Sequence, residues 1–413
     1  MKVLVKSIIL LSATSTLFCA GYRIPEQSIN STALSAANVA NVYGADASYY
    51  NPANMSWMKN NEFFEASLTY IKLNSIDYEH KGLGGELFNG TSKKENFLIP
   101  TFFYISKIQK DFFRYGISFT SPFGLTKRWN SALQKASAEK FSLKVLELNP
   151  SISFLASPNL SIGVGVRFIY SEGEVKSSST EYVELTNNAR ADFSRDMDGD
   201  EFKLAYNFAM SYKASENLTL AATYRTKAEL DENGHAKLYA FDEIIFKGGS
   251  SVKILLPAIL SLASSYKYKN TTFEFVYERN YWSEYKDLDF EYNKELEENY
   301  AILFDAPIEK DWHDSSTFRL GITHKYSDKL TLMCGFAIDK TPVPYKTLGF
   351  ELPDSHAKMY SFGFDYKVKK NLNFGMAYLY DKKEDREIVN DKVNGEFSNG
   401  GAHMVTVGLK YKF

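Results

Sequence analysis

The sequence predicts an all-β membrane barrel of about fourteen antiparallel strands, and three observations point there. Apolar and polar side chains alternate over segments of about ten residues or more, the length a tilted membrane strand needs. After residue 20 no apolar run approaches the roughly eighteen residues of a membrane helix. The connections alternate between tight turns and longer loops, as short periplasmic turns and long external loops do in outer-membrane barrels.

Met1 to Ala20 reads as a secretory signal peptide. Lys2 and Lys6 precede the run IILLSATSTLF, which is too short to span a bilayer and ends in small residues. Cleavage would follow Cys19 or Ala20; bulky Phe18 argues against a lipoprotein at Cys19. Without the leader only Cys334 remains, so the exported chain has no intrachain disulfide to stabilise it.

Residues 21–60 form an extra N-terminal piece. Its segment GADASYYNPANMSW, Gly44 to Trp57, lacks strand alternation but carries an Asn-Pro-Ala turn among small residues. Pro52 fixes the backbone there, and Asn51 can satisfy turn groups.

Residues 61–413 are read as one barrel domain. Strands are expected near 62–73, 96–107, 112–123, 142–156, 160–176, 201–213, 217–230, 254–268, 271–282, 315–326, 329–339, 358–368, 371–380 and 402–413. In LSIGVGVRFIY, Leu160, Ile162, Val164, Val166, Phe168 and Tyr170 share one face, and Ser161, Gly163, Gly165 and Arg167 the other. In the C-terminal segment Val405, Val407, Leu409, Tyr411 and Phe413 oppose Thr406, Gly408, Lys410 and Lys412. Lipid requires the apolar face, and an aqueous or plugged lumen tolerates the other. Aromatic residues near strand ends fit interfacial girdles.

The chain has 413 residues and a formal net charge of -2, with no basic excess that would suit nucleic acid. By parity Arg114, Arg167, Arg225, Lys227, Glu274, Glu278, Arg319 and Asp365 face the lumen. These charges either pair across it or leave an arginine to meet a ligand carboxylate, for which Arg225, Lys227 and Arg319 are the candidates. Pro122 in ISFTSPFGL is either an ordinary strand end or a local opening of the wall, because it withholds a ladder hydrogen bond. DMDGD, Asp196 to Asp200, reads as a solvated turn that starts a strand, since Asn207 stands where a calcium loop needs an acid. The six histidines show no metal spacing, and no GxSxG elbow is present. His324 is expected to face outward. LYAFDEIIF at 238–246, ENYAILFDAPI at 298–308 and YKTLGFELP at 345–353 are apolar for external loops, as loop packing or a greasy groove would make them. No catalytic residue, metal or cofactor is expected.

The chain resembles the FadL family of outer-membrane long-chain fatty acid and hydrocarbon transporters, including its TodX type. The likeness runs through AGY at 20–22, Asn51-Pro52-Ala53, SPFGLTKRW at 121–129, LNPSISF at 148–154, YRTK at 224–227, DWHDSSTFRLGITHKY at 311–326 and FAIDKTPVPYKTLGFELPDS at 336–355. It implies a fourteen-stranded barrel whose N-terminal residues form a small, mainly helical hatch in the lumen. It also implies a ligand path from an external groove to an inner pocket, with lateral exit where the third strand kinks. Carried over by motif, Tyr22 lies at the pocket, Asn51, Pro52 and Ala53 in the hatch, where their segment is either a plain plug or the gate of the channel, and Ser121, Pro122, Phe123 and Gly124 beside the opening. The family's basic pocket residues match no motif here, so Arg225 and Arg319 rest on parity alone. The loop TKRWNSALQKASAEK offers only a short helix for a groove.

The expected function is passive uptake of long-chain fatty acids across the outer membrane by a monomeric barrel that is not an enzyme. The alternatives are an aromatic hydrocarbon channel of the same family, a structural or adhesive surface barrel, and an outer-membrane lipase.

Overall fold

The structure is a computed structural model, described over residues 21–188 and 192–413. The expected signal peptide and its cleavage site lie outside the described residues.

The barrel wall is built from β1 (Phe63–Leu73), β2 (Glu95–Ile105), β3 (Phe113–Arg128), β4 (Lys140–Ser157), β5 (Leu160–Ser178), β6 (Phe193–Lys213), β7 (Leu218–Arg225) and β8 (Ala228–Ala240). It continues through β9 (Glu243–Leu256), β10 (Ala258–Tyr268), β11 (Thr271–Tyr281), β12 (Ser315–Lys325), β13 (Leu330–Asp339), β14 (Ala357–Lys369), β15 (Leu372–Lys383) and β16 (Gly401–Lys412). β7 and β8 form one stave interrupted at Thr226 and Lys227, and β9 and β10 form another interrupted at Pro257. The result is fourteen staves. The barrel closes because β1 pairs antiparallel with both β2 and β16, Phe63 lying opposite Ile105 on one side and Lys412 on the other.

Alternation holds as expected. On β6, Phe202, Leu204, Tyr206, Phe208 and Met210 are exposed, whereas Ala205, Asn207 and Ala209 are buried. A row of bare apolar side chains would be a liability in water; facing lipid, it is the wall's solvent contact.

The readings of DMDGD as a turn and of LYAFDEIIF as a loop are corrected, whereas the packing expected of the other apolar external stretches is found. DMDGD is not a turn: it lies within β6, with Asp198 opposite Glu174 on β5 and His235 on β8. The staves of β5 to β9 extend well past the length lipid requires, so LYAFDEIIF is the tip of the β8–β9 hairpin and not a free loop. ENYAILFDAPI contains a helix, Glu298–Phe304, and YKTLGFELP buries Leu348, Phe350 and Leu352 in the external core. A second small sheet of Asp77–His80, Gly90–Thr91, Arg386–Val389 and Asn394–Ser398 covers that core.

Residues 21–58 fill the lumen. Helix α1 (Ile29–Ala33) starts at Ser28, whose hydroxyl accepts from Ser31 N while the Ser31 side chain returns the contact. Reciprocal capping of this kind makes so short a helix tenable. Helix α2 (Ala47–Tyr50) leads into a 3-10 turn, Pro52–Trp57, in which Asn51 Oδ1 accepts from Ala53 N at 3.2 Å.

The wall seats the hatch with glycines on its inner face. A Cβ at Gly163 would lie 2.6 Å from Ala53 N, one at Gly363 2.7 Å from Ala33 Cβ, and one at Gly335 would overlap the Leu34 backbone. Gly163, Gly335 and Gly363 thus mark places where the hatch touches the wall, whereas at Gly165 and Gly408 the close neighbours are wall residues.

Candidate ligand path and wall opening

Strand β3 begins as an ordinary stave. Gly116 to Phe119 pair with Phe102 to Ile105 of β2, and the inner and outer positions alternate in burial. At Thr120 the pattern stops. Every residue from Thr120 to Lys127 is buried, and none of them pairs with β2 among the described residues. The register against β4 slips between Thr120 and Phe123. The two strands meet again only at the external end, where Lys93 N donates to Arg128 O at 2.9 Å and Ser92 bridges Trp129. A gap in the β2–β3 seam lies between these contacts. Proline favours it from both sides, since neither Pro100 of β2 nor Pro122 of β3 has an N–H to offer a ladder.

The hatch supplies the partners that β2 does not. Ile24 N donates to Pro122 O at 2.8 Å, and Gly124 N donates to Tyr22 O at 2.9 Å. The buried side chain of Gln27 completes the seam: Ser121 N donates to its Oε1 at 2.8 Å, and its Nε2 donates to Ser121 O at 2.9 Å. Every backbone group in the bulge that would otherwise be left bare is costly in an apolar setting, so these contacts hold the inward-turned strand in place.

Just inside the gap Tyr22 sits in an aromatic nest. Its ring meets Trp282 at 4.9 Å, Trp312 at 5.9 Å and Phe123 at 6.3 Å between centroids, and Tyr285 packs on Trp312 at 5.1 Å. The Tyr22 hydroxyl donates to the Leu255 carbonyl. Gly21 enters the nest at φ +81°, and a Cβ there would lie 2.8 Å from Trp282, so both backbone and space require glycine.

Two cavities share part of their lining, and the inner one touches this nest. The outer one encloses about 330 Å³ among Leu133 and Ala136 of the helix Ala132–Ala138, Phe290 and Ile308 of the long external segment, and Phe350. The inner one, lined by Tyr22, Leu125, Ile254 and Trp312, holds only about 20 Å³. Phe141, Lys310 and Glu351 line both. A ligand could settle in the first as it stands and could enter the second only by moving side chains.

Charge surrounds the outer cavity. The Arg195 guanidinium lies over Phe290 at 4.3 Å and Phe304 at 5.4 Å, and donates to Phe304 O at 3.0 Å. Lys310 pairs with Glu351. Burial would push the Glu351 acid up, but the adjacent Lys310 ammonium outweighs it and holds the carboxyl below its usual range. Burial lowers the Lys392 ammonium, which lies on the cavity wall. Three basic groups thus surround a single acid.

Parity placed Arg225 and Arg319 correctly in the lumen, and both are paired there. Arg225 and Arg167 converge on Glu147, Arg167 Nε at 2.9 Å, with Arg225 over the Tyr49 ring at 4.5 Å. Arg319 reaches Glu278 at 3.2 Å and the Ser35 carbonyl at 2.8 Å. Lys227 is a correction. The break at Thr226 and Lys227 shifts the alternation, so Lys227 is exposed and pairs with Glu284 outside the lumen.

Asn51, Pro52 and Ala53 lie in the hatch but not at the opening. Asn51 Nδ2 donates to Val39 O at 2.7 Å and Ser211 Oγ at 2.8 Å, and Ser161 Oγ donates to Ala53 O at 2.5 Å. The turn is pinned to β5 and β6, and the residues that reach Ser121 to Gly124 are Tyr22, Ile24 and Gln27. Of these, Tyr22 is marked in the sequence by its motif, and Ile24 and Gln27 are not. His324 faces outward as expected and meets Thr271 Oγ1 at 2.8 Å. No acidic or histidine group among the described residues could hold a metal ion.

A family model described as "Outer membrane protein transport protein (OMPP1/FadL/TodX)" matches residues 10–413. The chain belongs to this family. Among curated relatives of this FadL/TodX chain is outer membrane protein P1 of Haemophilus influenzae, 20% identical over 88% of each chain. The long-chain fatty acid transport protein of Escherichia coli K12 is 21% identical over 76% of this chain and 77% of its own. Among solved structures, a Pseudomonas aeruginosa FadL homologue superposes with a TM-score of 0.80 at 19% identity, over 95% of this chain and 99% of its own. The Ralstonia pickettii toluene transporter TbuX does so with a TM-score of 0.70 at 17% identity, over 93% and 97%. The fold is thus that of FadL/TodX barrels, and the protein is an outer-membrane channel of a family that passes hydrophobic molecules.

Proposed function

We propose that this channel takes up long-chain fatty acids passively, from the outer cavity to the Tyr22 nest and then sideways through the β2–β3 gap into the bilayer. The observation that carries this reading is the spatial series itself: a cavity among the external loops, a tight aromatic pocket sharing three of its residues, and beside that pocket a stretch of β3 that leaves β2 and bonds to the hatch instead. Transfer of an acyl chain into lipid is favoured by about 0.8 kcal/mol per CH₂, so no energy source is needed. A carboxylated ligand fits the basic excess of Arg195, Lys310 and Lys392 over Glu351. Deeper in, Arg319 or Arg225 would meet the carboxylate by exchanging Glu278 or Glu147 for it. Asn51, Pro52 and Ala53 act in this scheme as the anchor of the hatch, with Ser121 to Gly124 as the moving edge. The protein works as a monomer, and outer-membrane lipid receives the ligand.

The aromatic lining of the inner pocket favours a second reading, in which the ligand is a monoaromatic hydrocarbon. Uptake of labelled oleate and toluene by cells with and without the gene separates the two. Oleate uptake that depends on the gene supports the first reading and toluene uptake the second; no change in either rules out both in favour of a structural barrel.

A further inference from the structure

The two ends of this barrel carry opposite charge. At the short-turn end, the periplasmic one in barrels of this class, the turns KIQKD at 107–111, KASEN at 213–217, KYKN at 267–270, KYSDK at 325–329 and KVKKN at 367–371, with the terminal YKF, hold eleven lysines and three acids. At the other end the segment 282–314 alone holds eleven acids and three lysines. The chain as a whole has a net charge of only -2, so the turn lysines are a concentration and not a reflection of composition.

These lysines are little used within the chain. Of the eleven, two form ion pairs among the described residues, Lys107 with Glu62 at 3.7 Å and Lys325 with Asp328 at 3.1 Å. Nine of the eleven are exposed. Packing so many ammonium groups around one rim costs self-repulsion that a partner of opposite charge would relieve.

We propose that this collar binds the phosphate groups of anionic phospholipids in the periplasmic leaflet. Two features point to lipid rather than to a soluble anion. The lysines recur on five separate turns and the terminal strand, around the barrel and not on one sector, as a surrounding leaflet would require. They also stand beside exposed Tyr266, Tyr268, Tyr326, Tyr366 and Phe413, with Lys269 Nζ 5.3 Å from the Tyr268 ring. Aromatic rings settle at headgroup depth, and long lysine stems reach from that level to phosphate.

The test uses the folded full chain in detergent, equilibrated with an equal mixture of phosphatidylglycerol and phosphatidylethanolamine, re-isolated, and assayed for bound lipid by native mass spectrometry. The collar predicts phosphatidylglycerol enriched by about threefold or more at low salt, with the enrichment falling as salt screens the contact. Combined Lys267→Gln, Lys269→Gln, Lys367→Gln, Lys369→Gln and Lys370→Gln should abolish it, and the five matching arginine substitutions should keep it. A second set, Lys107→Gln, Lys110→Gln, Lys325→Gln and Lys329→Gln, serves if the first does not fold, and should halve the enrichment or more. Equal retention of the two lipids by the unaltered chain overturns the proposal, as does enrichment that survives in the glutamine variants.

Discussion

The side-chain amide of Gln27 takes up both backbone hydrogen-bonding groups of Ser121, at 2.8 and 2.9 Å, across 94 residues of chain. A hatch side chain thereby stands in for a strand where β3 leaves β2. Whatever loosens residues 22–27 also loosens the β2–β3 seam.

Replacing Gln27 with alanine should therefore unclasp the gap while the barrel stays closed elsewhere. Leaving the two Ser121 groups unmet costs about 1 to 3 kcal/mol each if water cannot reach them. In planar bilayers the Gln27→Ala channel should show ion leak that the parent lacks. Identical, silent traces from both proteins would remove Gln27 from the gate.

Pro122→Ala restores an N–H where the strand turns inward. Pairing can then extend past Phe119, narrowing the gap, and hydrophobic uptake should fall several-fold. The heat-modifiable gel shift of a folded barrel should persist. Uptake at the parental rate in a correctly folded variant would count against lateral exit.

Gly335→Ala tests the seat of the hatch. The new methyl would overlap the Leu34 backbone, and overpacking of this kind costs about 1 to 3 kcal/mol. The hatch should become cleavable by protease added from the periplasmic side, with the barrel still resistant. A hatch as protected as in the parent would show that the wall yields instead.

Glu26, within the hatch, provides a pH test. Its burial raises the carboxyl to about 7, against the nearby arginines Arg319 and Arg23, which lower it. A raised acid binds more protons folded than unfolded, so its contribution to stability is present at low pH and is lost as pH rises from about 4.5 to about 7. The full effect is on the order of 3 kcal/mol. Thermal unfolding should show the hatch more stable at pH 5 than at pH 8, and Glu26→Gln should flatten that difference. A parent that gains stability over this interval would contradict it.

The fourteen staves were legible because lipid imposes a strict alternation that few other environments demand. Where lipid ends, so did the legibility. Asp196 to Asp200 and the β8–β9 hairpin continue as strand in water, where polar side chains are tolerated on both faces and nothing in the local pattern distinguishes ladder from loop. Parity found Arg225 and Arg319 but failed at Lys227, because a two-residue break resets the count and leaves no mark in composition. Pro122 signalled the opening by its missing N–H. Ile24, which bonds Pro122, and Gln27, which bonds Ser121, gave no such sign, since a contact across about a hundred residues is written in no local period.

The glycine seats at Gly163, Gly335 and Gly363 bear on what the cell keeps out. At these three points the hatch lies so close to its cylinder that one added carbon would collide, so no water passes between the two there. A channel of the proposed kind, its lumen filled by residues 21–58, would open the envelope to grease without adding the water-filled bore of a wide porin.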